Sequence, residues 1–395
     1  MERNSTIWYL GIFTILFCLP INGADWGFYA HRKINYYAVL TIPPPLNQFF
    51  KYHIDYLSVH AVDPDTRRYA SLNEGPRHFI DLDRWYQGDS LMLTGDYVVD
   101  RMSSGQWEWR TDDTTLKLDA RWAGNQRLEF TTQDFHLSID SFAARKVVLA
   151  RPVDSLYMVP DFLYPGQKGS LYYLDTFTSH GIVPYYIELS YHRLIKAMIE
   201  GEEEVILRLC ADLGHYISDA HVPLHTTSNY NGQNTGQIGI HAFWESRIPE
   251  LFESSHFSSL AGKAQYIPDI QEFIWDIVKA SYSLVPKVLE KEIEARKKIA
   301  SHDHYCYEER GNQLVRTQCP ELTRTYMELL DGMVQDRWRA SIHAVGSVWY
   351  SAWIDAGKPD LWTLSTEIDP DTGLLDRWWN KLDLFSKSRR NSLHE

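Results

Sequence analysis

A chain of 395 residues with 44% hydrophobic content is long enough to bury a sizeable core. Its net charge of -13 argues against a basic groove that gathers polyanions. Its longest early apolar run is too short for a spanning helix, so no transmembrane segment is expected in the mature chain.

That run is Ile7 to Pro20, preceded by Glu2 and Arg3 and ending in "INGAD". It reads as a signal peptide over 1–25, which predicts a secreted or periplasmic protein. Apolar residues then recur at helical spacing in Lys33 to Leu40, Phe49 to Val59, Pro184 to Glu200, Glu203 to His221, Ala242 to Phe252, Ile267 to Ile299, Glu321 to Arg337 and Arg339 to Asp355. The expected fold is mainly α, a helical bundle forming a single domain over 26–380. Between Trp85 and about Val159 the pattern changes to short alternating segments, "YVVD", "QWEWRT", "TLKLDARW", "RLEFTT" and "KVVLAR", which predict a β-rich insertion over about 86–160. Residues 381–395 read as a loose polar tail.

The chemistry concentrates between residues 213 and 245. His215 and Asp219 are four apart, as are His241 and Glu245, and on a helix that spacing puts both side chains on one face. Pro223 ends the first helix just before His225, freeing its imidazole to turn toward the second pair. One such pair is more often a solvated helix face than a ligand set. Two pairs and a linking histidine, interleaved with apolar Leu213, Ile217, Ala220, Phe243 and Trp244, would be buried and need partners, which points to two adjacent metal ions.

"HYISDAHVPLHTTSN", residues 215 to 229, resembles the signature of zinc-dependent phospholipase C, whose superfamily includes the three-zinc single-strand-specific nucleases. It departs from that signature at Ser218 and Ala220, neither a ligand position. The resemblance extends to "WGFYAHRKIN", which offers Trp26 and His31, and to "AVDPDTRRYASLNEGPRHFIDLD", which offers Asp63, His78 and Phe79. "VWYSAWIDAGKPDL" near the C-terminus looks like the last helix of bacterial members. The resemblance implies a phospholipase C/nuclease-type bundle around three Zn2+ ions. One would be held by Asp63, His78, His215 and Asp219, a second by His225, His241 and Glu245, and a third by the Trp26 backbone, His31 and a bridging Asp219. Chelation by the Trp26 amine requires Trp26 to be the first mature residue, although cleavage after Ala24 is chemically easier.

The resemblance implies phosphodiester hydrolysis, for which zinc lowers the pKa of bound water toward 7 while a second ion nearby clamps the phosphoryl oxygens. Asp63 is the candidate to orient or deprotonate the attacking water. Phe79 and Asn229 are candidates for substrate contact, Phe79 by stacking on a base or a headgroup and Asn229 by holding a phosphate or its own loop. Arg67, Arg68 and Arg77 are weaker candidates for neutralising a phosphate. His221 is expected to face elsewhere, and His302 and His304 to form an exposed loop cluster.

Glu245 and the signature favour a phospholipid headgroup as substrate; the short Trp26 to His31 interval and the Asp63 to His78 spacing favour single-stranded nucleic acid. A phospholipase C-like enzyme leads, with an endonuclease/3′-nucleotidase second and a catalytically silent secreted zinc-binding protein as the reading from another class. A di-iron bundle is less consistent, because such bundles use Glu-x-x-His pairs. The chain is expected to act as a monomer. In an oxidising compartment Cys306 and Cys319 can form a disulfide, and Cys210, on the apolar face of the ligand helix, is expected to be a buried free thiol.

Overall fold

A computed structural model describes residues 27–123, 127–132, 135–140, 156–158, 169–310 and 313–366. Trp26, the segment "KVVLAR", the apolar run Ile7 to Pro20 and residues 381–395 lie outside the described residues. Those described are mostly helical. The longest helices overlap the expected stretches: Gly27–Thr41, Val183–Glu200, Glu203–Ala220, Ile270–Lys298 and Met333–Asp355.

Glu203–Ala220 lies at the centre of the bundle, with every residue from Leu213 to Ala220 buried. Gly27–Thr41 packs against it at Gly214, where an added Cβ would lie 1.9 Å from the Asn35 Oδ1. Asn35 uses that close approach to donate to the Leu57 carbonyl at 3.0 Å and the Ala211 carbonyl at 3.2 Å, which locks three helices at one level. From the other side Trp349 donates its indole N–H to the Cys210 carbonyl at 3.0 Å. Cys210 is a buried free thiol, as its apolar position predicts.

Helix boundaries differ from the periodic pattern at three places. Phe49 to Val59 divides at His53 into Asn47–Tyr52 and Ile54–Val59. The expected break near residue 338 lies instead at Asp331 and Gly332, whose φ of 53° and 76° stop Pro320–Leu329, and Met333–Asp355 then runs unbroken. "YVVD" reads as alternating but is the first turn of the helix Tyr97–Ser104, because the Asp96 carboxylate accepts from the Val98 and Val99 N–H groups at 2.9 and 3.1 Å.

The β-rich segment is a six-stranded antiparallel sheet in the order Phe135–Asp140, Arg127–Thr132, Thr115–Ala123, Gln106–Arg110, Ser170–Leu174, Leu156–Met158. It extends to Leu174, past the expected boundary near residue 160. In Gln106–Arg110 the alternation buries Trp107 and Trp109 on one face, and Trp107 is anchored by its N–H to the Met102 carbonyl at 2.9 Å. A second antiparallel pair, Tyr305–Arg310 with Gln313–Gln318, carries the Cys306–Cys319 disulfide that the cysteine spacing predicts. Arg247 ties this hairpin to the bundle by donating to the Gln318 carbonyl at 3.0 Å and to Glu308. Among the described residues no helix is long and apolar enough to cross a membrane.

Candidate metal centre

Five histidines and three carboxylates converge within the bundle in three groups, the first two sharing His215: Asp65, His78 and His215; His31, His215 and Asp219; and His225, His241 and Glu245. Within each group the ligand-capable atoms lie within 4.8 Å of one another. The two i,i+4 pairs meet as their helical spacing requires. His215 Nε2 is 3.2 Å from Asp219 Oδ2, and His241 Nε2 is 2.9 Å from Glu245 Oε2.

Asp219 bridges. Its Oδ2 lies 2.9 Å from His78 Nδ1, while its Oδ1 lies 3.4 Å from His31 Nε2 and 3.8 Å from His225 Nε2. Glu245 bridges as well, with Oε1 3.3 Å from His31 and Oε2 3.3 Å from His225. It sits in a single π-helical turn, Phe243–Arg247, set between Ile240–Ala242 and Ile248–His256; one-turn irregularities of this kind are frequent at functional sites. Pro223 opens a short 3₁₀ turn, Pro223–Thr226, after Val222 has left helical geometry, and this turn carries His225 inward as expected.

The surroundings prepare these groups to act as ligands. His215 Nδ1 lies 2.8 Å from the Ala61 carbonyl and His225 Nδ1 2.6 Å from the His78 carbonyl. A carbonyl only accepts, so both Nδ1 atoms carry the proton and both Nε2 atoms present lone pairs to the carboxylates. Burial lowers the pKa of His215, and burial and the neighbouring His215 lower that of His78, which favours the neutral, ligating form. Burial pushes the Asp219 carboxyl up. Burial acts in the same direction on Glu245, but the imidazoles of His225, His241 and His31 that face it outweigh burial and hold that carboxyl well below the usual range.

Among the described residues no lysine or arginine lies within ion-pair distance of Asp219 or Glu245. Two buried carboxylates without a fixed cation are costly unless a mobile cation joins them. With convergent imidazole lone pairs beside them, the donor set fits divalent metal ions that take nitrogen and oxygen ligands.

The carboxylate that joins His78 and His215 is Asp65, at 3.8 and 3.7 Å, and not Asp63. Asp63 turns outward, 45% exposed, and its Oδ2 lies 2.7 Å from His60 Nδ1. Both residues belong to the helix Asp63–Arg67, and two residues of helix rotate a side chain by about 200°, so only one can face the cluster. The signal was present in "DPD": Pro64 marks a helix start, which makes the phase of the two carboxylates matter.

The substrate candidates resolve unevenly. Asn229 accepts from the Asn234 N–H at 2.8 Å and donates to Thr235 Oγ1 at 3.2 Å, so its amide holds its own loop. Phe79 is half-buried in extended backbone, its carbonyl accepting from the Val183 N–H at 3.1 Å. Arg67 is held by Asp212 and Tyr216, and Arg77 by Glu74 and the Tyr186 ring. Arg68 remains half-exposed, its Nη1 3.5 Å from Asp65. His221 lies off the cluster, bonded to the Ile217 carbonyl at 2.7 Å. His302 is exposed, whereas His304 bonds the Arg296 and Ile299 carbonyls. Sequence reasoning missed Asp65 and the contact of Glu245 with His31. Compared with known protein families and with curated proteins, the chain matches none.

Proposed function

We propose that the chain is a zinc-dependent phosphodiester hydrolase, phospholipase C-like, of the phospholipase C/nuclease superfamily that its motifs resemble. The observation that carries this reading is the sharing of ligands. Asp219 contacts histidines of all three groups, and His215 belongs to two of them, so metal ions held there would be neighbours. Zinc held there supplies an activated water and positive charge for the phosphoryl oxygens. Asp219 and Glu245 hold the shared positions. Asp65, 21% exposed at the rim, takes the role first expected of Asp63 and accepts a proton from the attacking water. Arg68, half-exposed with its Nη1 3.5 Å from Asp65, stands beside it to meet a non-bridging phosphate oxygen. The third zinc would draw on His31, Asp219 and Glu245, with Trp26 completing it in the mature chain. Export, with removal of residues 1–25, belongs to the same reading.

A nuclease is the second reading, favoured by the short Trp26 to His31 interval. The test compares zinc-loaded protein on bis(p-nitrophenyl) phosphate, phosphatidylcholine and single-stranded DNA and RNA, with and without chelator. Chelator-sensitive hydrolysis with diacylglycerol release exceeding nucleotide release is expected. Cleavage of single strands without lipid turnover would reverse the ranking, and zinc binding without any hydrolysis would leave a silent zinc-binding protein.

A further inference from the structure

His78 is oriented differently from the other four histidines of the cluster. They turn Nε2 toward the carboxylates, whereas His78 turns Nδ1, 2.9 Å from Asp219 and 3.0 Å from His215 Nε2. Its Nε2 therefore points away from the cluster, buried and without a hydrogen-bond partner. The nearest carboxylate oxygen across from it is Glu74 Oε1, at 3.9 Å.

Glu74 has no role in the ligand set, yet it is 1% exposed and closely held. Arg77 donates to its Oε2 at 2.6 Å, Tyr216 donates its hydroxyl to Oε1, and Arg67 stands 3.5 Å from Oε1 while bound to Asp212. Two arginines and a phenol thus hold one carboxylate in place and aim it beside the ring of a single ligand. Tyr216 follows His215 on the ligand helix, so the same helix that supplies a ligand also fixes this anion.

We propose that Glu74 is a positioning residue whose carboxylate, 3.9 Å from His78 Nε2, favours the proton on that nitrogen and accepts a hydrogen bond from it when a metal ion draws the ring into place, and so presents Nδ1 to a metal ion at the Asp65, His78 and His215 group. A carboxylate behind a ligating imidazole fixes its tautomer and raises its basicity, and removing such a partner typically weakens metal binding about 10–100-fold. This inference rests on the metal-centre part of the reading above and not on the reaction.

The test titrates metal-free full-length protein and its Glu74→Gln variant with zinc against a chromophoric chelator, alongside nitrogen-15 histidine NMR of the zinc-loaded chains. The variant is expected to lose about 10–100-fold in affinity for one equivalent of zinc while the others are unchanged. In the unmutated chain His78 is expected to carry its proton on Nε2, slow to exchange with solvent, and faster to exchange in the variant. Unchanged affinity for every equivalent, or a His78 proton on Nδ1, overturns the proposal. The tautomer measurement needs no substitution and decides the point if the variant does not fold. A chain that binds no zinc overturns this inference together with the metal centre. A chain that binds zinc and shows the Glu74 effect but hydrolyses no phosphodiester upholds the inference and refutes only the hydrolase.

Discussion

Replacing each aspartate of "DPD" by asparagine separates the two carboxylates that the motif leaves equivalent. Asp65 lies 3.7 and 3.8 Å from the nitrogens of His215 and His78 and is mostly shielded, so Asp65→Asn removes both a metal-facing charge and the proposed proton acceptor. Loss of a positioned general base alone costs about 10²–10⁴-fold in rate. Asp63 is 45% exposed and engages only His60 among the contacts described, a surface pair worth about 0–1 kcal/mol. Asp63→Asn is therefore expected to keep activity within a few-fold and to shift stability by less than about 1 kcal/mol. The assay is turnover of bis(p-nitrophenyl) phosphate by zinc-loaded protein, with zinc content measured on the same samples. Full activity in Asp65→Asn with loss in Asp63→Asn would refute the placement of the helix phase.

Replacing Cys306 and Cys319 together by serine opens a 13-residue separation, and by the chain-entropy estimate for loops of this size should cost about 3 kcal/mol, read from urea midpoints with and without reductant. Because Arg247 joins that hairpin to the π turn of Glu245, zinc bound by His225, His241 and Glu245 should weaken more than the rest; equal weakening would argue against that link. Asp212 tests pH dependence. Burial pushes its carboxyl up to about 6 against the pull of Arg67, so the folded chain binds this proton more readily than the unfolded chain, whose value is the ordinary 3.8. Stability should therefore rise from this group as pH falls from about 6 toward 4, by up to about 1.4 kcal/mol per pH unit. Asp212→Asn should lose that rise relative to the unmutated chain, and parallel stability curves across the window would contradict it.

What could be read from the chain was local. The two i,i+4 pairs need only helix geometry, Pro223 needs only its ring and missing N–H, and the strand segments from Gln106 onward need only alternation. The disulfide pairing followed because Cys306 and Cys319 are near in sequence and polar in context. Where competing local signals existed, the pattern misled: "YVVD" alternates but obeys the Asp96 cap, and the C-terminal helices part at a left-handed Asp331–Gly332 turn that hydrophobic spacing does not register. Tertiary packing alone decided the rest. That His31 meets both Asp219 and Glu245 depends on Asn35 seating against Gly214, a contact between residues 179 apart in the chain. Helix rotation in a single short segment chose Asp65 over Asp63, and the fold of the 74–78 turn chose which nitrogen of His78 faces inward. Short-range spacing specifies which side chains share a face, but which face is buried, and against what, is set by elements far away in the sequence.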